Sequence, residues 1–274
     1  MFFNKKPDLN IIVSKRSHGL FFKSMNKKFI YKNCIIIPFH SNLENFYKLI
    51  FKILSYFLRI KIINMMSNYS LILKGAKNIT IISVRQDKPL GLGHAILCAK
   101  KILDYGESFC VILPDEFLVS NHRRNDLELM IENFHETSHG QILVEKVKRQ
   151  LVTNYGIVDI NTKLLLKNKS ELINGMIEKP SIQKAPSNYR VIGRYILPYE
   201  ILKILDKEKP AKDGEIQLTD ALQKCINQKK YFFDAYQSNS TVYDCGSIKG
   251  FLGANIAIAS KDKEIKQYLM KNFS

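Results

Sequence analysis

Residues 79–115 read ITIISVRQDKPLGLGHAILCAKKILDYGESFCVILPD, and this run decides the fold class. Ile79–Val84 is a β-branched, apolar run that predicts a buried strand. Pro89, Gly91 and Gly93 punctuate a turn, and a helix is expected near His94–Leu103. Phe109–Leu113 predicts a second buried strand, ending at Pro114-Asp115. Strand, glycine turn, helix and strand in that order make a β–α–β unit, in which ligands bind at the carboxyl ends of the strands.

Working outward, Asp126–Glu136 carries Leu127, Met130, Ile131 and Phe134 at i, i+3, i+4 and i+7, the signature of an amphipathic helix. Further strands are expected at Gln141–Val147, Gly156–Ile160, Leu172–Glu178 and Val191–Leu197. Helices are expected at Pro198–Asp206 and Glu215–Ile226, the latter with Leu218, Ala221, Leu222 and Cys225 as its apolar stripe. Strands alternating with helices argue an α/β fold with a mostly parallel sheet flanked by helices.

The first 75 residues differ in character. They contain no Ala, Thr, Gln or Trp, and Gly19 is their only glycine before Gly75. The chain therefore divides into a divergent basic N-terminal segment, 1–76, and an ordered domain, 77–274. Of the formal charge of +17, residues 1–80 hold +12 (14 Lys/Arg against Asp8 and Glu44) and the remaining 194 hold +5. Charge confined to one end, without aromatic platforms or a recognition helix, argues against nucleic acid as a partner. Leu49–Met66 is apolar but broken by Lys52, Arg59 and Lys61, short of the roughly 20 residues needed to span a bilayer. No membrane partner is expected, and no leader is evident in Met1–Asn10. Five cysteines without a C-x-x-C pair fit reduced thiols in a cytoplasmic protein.

Three features fall at strand ends. Gln86 follows its strand directly, and its amide can both donate and accept, as reading a base edge requires. Gly91 and Gly93 allow close backbone approach, whether to a ligand or within a tight turn. Asp115 ends a buried strand, where a carboxylate can hold Mg²⁺ against phosphate oxygens or cap a helix. Glu178-Lys179 places a carboxylate beside an ammonium, either for a sugar hydroxyl and a phosphate or as a surface ion pair.

The set V-R-Q…L-G-L-G-H-A…V-I-L-P-D…Y-G-I-V-D…I-E-K-P…A-P-S-N…V-I-G-R-Y-I-L…D-G-E-I-Q-L-T-D-A…Y-D-C-G, over about residues 79–253, resembles the bacterial UTP–glucose-1-phosphate uridylyltransferases. The resemblance implies a Rossmann-like nucleotide-diphospho-sugar transferase fold, with its N-terminal part incomplete or divergent. It implies UDP-glucose and pyrophosphate made from UTP and glucose 1-phosphate with Mg²⁺, and a homo-oligomer. By the same resemblance, Gln86 and the backbone around Gly91 and Gly93 bind uracil. Asp115 holds Mg²⁺, with Asp244 of Y-D-C-G as a second metal-facing carboxylate. Gly156 and Glu178 contact glucose hydroxyls, Lys179 grips the sugar phosphate, and Val191-Ile192-Gly193 lines the sugar pocket. Asp115 and Lys179 would be the catalytic pair. Asp213-Gly214-Glu215 is expected to cap and pack a helix.

Relatives carry an N-terminal G-x-G-T-R loop for the triphosphate. None of the 13 glycines here is followed by Thr-Arg, and only Cys34–Phe46 faintly resembles a family segment. Three further readings stand beside the enzyme: a non-catalytic nucleotide-sugar-binding or regulatory subunit, a decayed or mis-framed product and, last, a membrane- or RNA-binding role for the basic arm.

Overall fold

The computed structural model describes residues 9–15, 35–38, 79–86, 88–120 and 122–273. The apolar stretch Leu49–Met66, Cys34 and most of the basic segment 1–76 lie outside the described residues.

The elements in chain order are β1 (Leu9–Lys15), β2 (Ile35–Pro38), β3 (Ile79–Arg85), α1 (Gly91–Leu97), β4 (Phe109–Ile112), β5 (Glu116–Val119), α2 (Asp126–Thr137), β6 (Gly140–Lys146) and β7 (Gly156–Ile160). They continue with β8 (Ser170–Glu178), β9 (Tyr189–Leu197), α3 (Glu200–Leu205), α4 (Leu218–Asn227), β10 (Phe233–Gln237), β11 (Thr241–Asp244), α5 (Ile248–Ala259) and α6 (Lys263–Phe273). Among the described residues, nine strands form one sheet in the order β3-β1-β2-β4-β9-β6-β10-β8-β7, and β5 and β11 make a separate two-stranded ribbon. β1 and β2 of the basic segment pair within the large sheet.

The α/β class stands, but the sheet is mixed where a mostly parallel one is expected. β1 runs parallel to β3 and β10 parallel to β6, whereas β6, β7, β8 and β9 pair antiparallel. For β7 and β8 the reason is connection length: parallel neighbours need a crossover of about a dozen residues or more, and the link between these two strands is shorter than that.

Every residue of β4 and β10 is buried, as expected for central strands covered on both faces. One apolar core runs from Ala95 and Ile96 of α1 through Ile142, Val144 and Leu197 of the sheet to Leu222 and Cys225 of α4. The stripe Leu218, Ala221, Leu222 and Cys225 is buried as its spacing predicts. Asn125 caps α2, its Oδ1 accepting from Glu128 N at 2.9 Å, and Ser138 ends that helix in the left-handed region at φ 57°. Cys98, Cys110, Cys225 and Cys245 form no disulfide, and burial pushes the Cys110 thiol up to about 12 and Cys225 to about 11. No helix among the described residues is long and apolar enough to cross a membrane.

Candidate functional site

The first group of predicted site residues gathers at the start of α1. Gln86 is buried, and its amide nitrogen lies 3.1 Å from both Gly91 O and His94 Nδ1. Both amide hydrogens are thereby committed to α1, which leaves Oε1 as the group's acceptor. Gly91 and Gly93 do permit a close backbone approach, but to the protein itself. Gly91 sits at φ +85°, and Gly93 N donates to Ile216 O at 2.9 Å. A Cβ on Gly93 would stand 2.6 Å from that carbonyl.

The second group is built on the turn between β4 and β5. Arg194, wholly buried, donates through one terminal nitrogen to Leu113 O (2.7 Å) and Gly193 O (2.8 Å) and through the other to Glu116 O (2.8 Å). It thus clamps the carbonyls on both sides of Pro114-Asp115. Burial lowers its pKa to about 10, against the pull of Glu116, Asp115 and Asp126, so it stays charged at neutral pH. Glu116 accepts from Arg190 at 2.7 Å and from the Gly193 backbone N–H. Gly193 packs closely on Leu113, where an added Cβ would clash with the leucine side chain.

The ribbon brings the Asp244 backbone to this turn. Asp244 stands opposite Glu116 in the β5–β11 register, and Cys245 N donates to Asp115 O at 2.6 Å. Asp115 and Asp244, 129 positions apart by their numbers, become neighbours across the end of the ribbon. Behind it, Phe117, Tyr243, Cys245, Phe251 and Ala254 form a small cluster of their own with α5. No group of three or more His, Cys, Asp or Glu that could hold a metal occurs among the described residues. Two carboxylates completed by phosphate oxygens are the kind of oxygen set that suits Mg²⁺.

The third group lies where β7, β8 and α4 meet. Gly156 pairs with Glu178, and a Cβ on it would come within 3.1 Å of Glu178 Oε2 and 3.2 Å of Thr219 Oγ1. The Thr219 hydroxyl donates to Glu178 Oε2 at 2.7 Å, and Lys179 Nζ lies 3.8 Å from Glu178 Oε1. Lys179 is a non-glycine residue at φ +42°, tied by its N–H to Tyr155 O at 3.0 Å. A left-handed residue held this way is strain of the kind that concentrates at functional positions. Half its side chain is exposed, so the ammonium can meet a ligand.

Two observations join the groups. Tyr195 is buried, and burial first, then the charges of Glu116, Glu178 and Asp115, push its pKa up against the opposing charge of Arg190. The segment Asp213–Thr219 packs on Gly91 and Gly93 at one end and reaches Glu178 at the other. Its role corrects the capping expectation. α4 begins at Leu218 with Gln217 as an N-cap whose side chain makes no capping bond to the helix, while Asp213 accepts from Glu215 N and Gln217 Nε2 within a turn. The packing half of that expectation holds.

Thr219, Arg190, Arg194 and Glu116 were not singled out from the sequence as site residues. Thr219 lay inside G-E-I-Q-L-T-D-A and Arg194 inside V-I-G-R-Y, so position within a motif was the available signal. His94 serves Gln86, and His139 contacts Asp234 at 3.0 Å, both structural uses.

Residues 48–261 match the family model described as nucleotidyl transferase. The chain belongs to the nucleotidyl transferase family. Within that family, the Haemophilus influenzae UTP–glucose-1-phosphate uridylyltransferase is 37% identical over 200 residues, covering 70% of this chain and 67% of that one. The Escherichia coli K12 enzyme of the same name is 41% identical over 180 residues, 65% of this chain and 58% of its own. Among solved structures, the UTP-bound UGPase from Acinetobacter baumannii superposes with a TM-score of 0.66 at 34% identity, covering 85% of this chain and 79% of that one. The matched stretch thus spans from 58% to 67% of these two curated relatives.

Proposed function

We propose that this nucleotidyl transferase chain is of the UTP–glucose-1-phosphate uridylyltransferase type, acting on UTP and glucose 1-phosphate to form UDP-glucose and pyrophosphate. The observation that carries the reading is the cluster of Gly156, Glu178, Lys179 and Thr219 where β7, β8 and α4 meet, with Asp115 and Asp244 brought together at the end of the β5–β11 ribbon. Gln86, with its donors committed to α1, presents an acceptor suited to a ring N–H such as that of uracil. Glu178, whose second carboxylate oxygen lies on the side of Lys179, would take the hydroxyls of a sugar.

Lys179 would hold the sugar phosphate while one of its oxygens attacks the α-phosphorus of UTP. The new P–O bond forms as the bond to pyrophosphate breaks, and pyrophosphate carries away the electron pair. Both reactants are anions, so positioning and charge neutralisation are what the site must provide. Mg²⁺, held by Asp115 and Asp244, would supply charge neutralisation at the phosphates. No side-chain nucleophile enters this scheme.

The test is calorimetry at moderate salt with UDP-glucose and dTDP-glucose. UDP-glucose is expected to bind more tightly, and equal affinities would refute the assignment. Lys179→Ala is expected to weaken UDP-glucose binding about 10-fold, the loss of one charge-assisted hydrogen bond, while uridine binding hardly changes. Equal losses for both ligands would make Lys179 structural.

One observation favours a second reading. Residues 1–75 carry no G-x-G-T-R, and diffuse positive charge attracts a triphosphate without orienting it. A chain that binds UDP-glucose but turns over far below the ordinary ~1–1000 s⁻¹ would be a nucleotide-sugar-binding or regulatory subunit.

A further inference from the structure

β8 pairs with β10 only over Ser170–Leu172, and beyond that point α4 lies along the edge that β10 leaves. Two side chains of α4 reach the strand. Thr219 Oγ1 donates to Glu178 Oε2 at 2.7 Å, and Gln223 Oε1 accepts from Met176 N. The spacings match. Four residues of helix rise about 6 Å, and two residues of strand span about 6.7 Å. A helix carrying polar side chains at i and i+4 can therefore grip a strand at j and j−2 without bending either. Two glycines make room for the grip: a Cβ on Gly175 would come 3.0 Å from Gln223 Oε1, and one on Gly156 would come 3.2 Å from Thr219 Oγ1.

The Gln223 bond sets the height of α4 along β8, and the Thr219 bond acts on the functional group itself. One carboxylate oxygen of Glu178 is engaged by a hydroxyl on a packed helix. The other is left on the side of Lys179, 3.8 Å away. A carboxylate held at one oxygen keeps its plane, and a sugar hydroxyl meeting it finds a fixed acceptor direction.

We propose that Thr219 is a positioning residue for sugar recognition: its hydroxyl orients the Glu178 carboxylate and thereby sets the preference for the hexose. This rests on the sugar-site reading given under the proposed function. Thr219→Val keeps the volume and removes the donor. In calorimetry on the full chain it is expected to weaken UDP-glucose binding ~10-fold, the loss of a hydrogen bond to a charged group, with UDP affinity unchanged. Thr219→Ser is expected to restore wild-type affinity. Thr219→Cys, whose thiol is a weak donor, is expected to fall with valine and serves if the valine variant does not fold. In a Glu178→Gln background, Thr219→Val should have little further effect, because the partner it orients has lost its charge. Unchanged UDP-glucose affinity in the valine and cysteine variants, equal losses for UDP and UDP-glucose, or full additivity with Glu178→Gln would each overturn the role. If the wild-type chain binds UDP-glucose no better than UDP, the sugar-site reading itself fails and this role goes with it.

Discussion

Replacing Arg190 by methionine is expected to destabilise the protein by about 3–5 kcal/mol, the usual cost of removing one partner from a buried ion pair. Arg190 lies almost wholly inside the protein between two carboxylates, 2.7 Å from Glu116 Oε1 and bonded through Nε to Glu145 Oε1 at 2.6 Å. Its guanidinium also stacks over Tyr155, 4.4 Å from the ring centroid. Burial works against its charge, yet Glu116 and Glu145 outweigh that and raise its pKa. Without it, the two glutamates would face each other with no cation between them, and methionine fills the volume but cannot neutralise either. Urea denaturation monitored by circular dichroism measures the loss. A change below about 1 kcal/mol, the range of exposed pairs, would show that water already screens the cluster. The same variant should loosen Gly193, whose N–H is held by the Glu116 carboxylate.

Asp115→Ala is expected to lower the Mg²⁺ affinity of the UDP-glucose complex about 100-fold. Even the partners behind a metal ligand cost 10- to 100-fold when removed, so a direct ligand belongs at the upper end. The backbone of the turn should survive. Arg194 holds Leu113 O and Glu116 O, and Cys245 N bonds to the Asp115 carbonyl rather than to its side chain. Binding without Mg²⁺ should therefore be nearly unchanged. Calorimetric titration of Mg²⁺ into the chain with UDP-glucose separates the two. A variant that keeps its full Mg²⁺ response would take the metal away from Asp115.

How much of this was legible in the sequence depends on how local the cause is. α1, α2, β8 and α4 announce themselves because burial on one face imposes a period on neighbouring residues, and β3 and β4 because they are continuous apolar runs of strand length. Their ends drifted by a few residues, as at α4, where Glu215–Ile226 is expected and Leu218–Asn227 found. β5 and β11 gave no such signal. They are four-residue strands, half-buried or exposed, whose partner lies more than 120 positions away by residue number. Period 2 over four residues is too short to stand out, so the ribbon that brings Asp244 to Asp115 was not foreseen, although both aspartates were.

What the sequence by itself determined is the α/β class, the positions of Gln86, Asp115, Gly156, Glu178 and Lys179 at or beside strands, and, through its motifs, the family. Only the tertiary structure decided the mixed sheet, because strand direction follows from connections closing in space. Only it showed what stands against the glycines: Gly93 meets Ile216 and Gly193 meets Leu113, contacts that depend on which distant segment arrives. It likewise decided that Thr219 belongs to Glu178. A hydrogen bond between residues 41 apart leaves no periodic trace in either segment, since it is specified by one helix lying against one strand at one height.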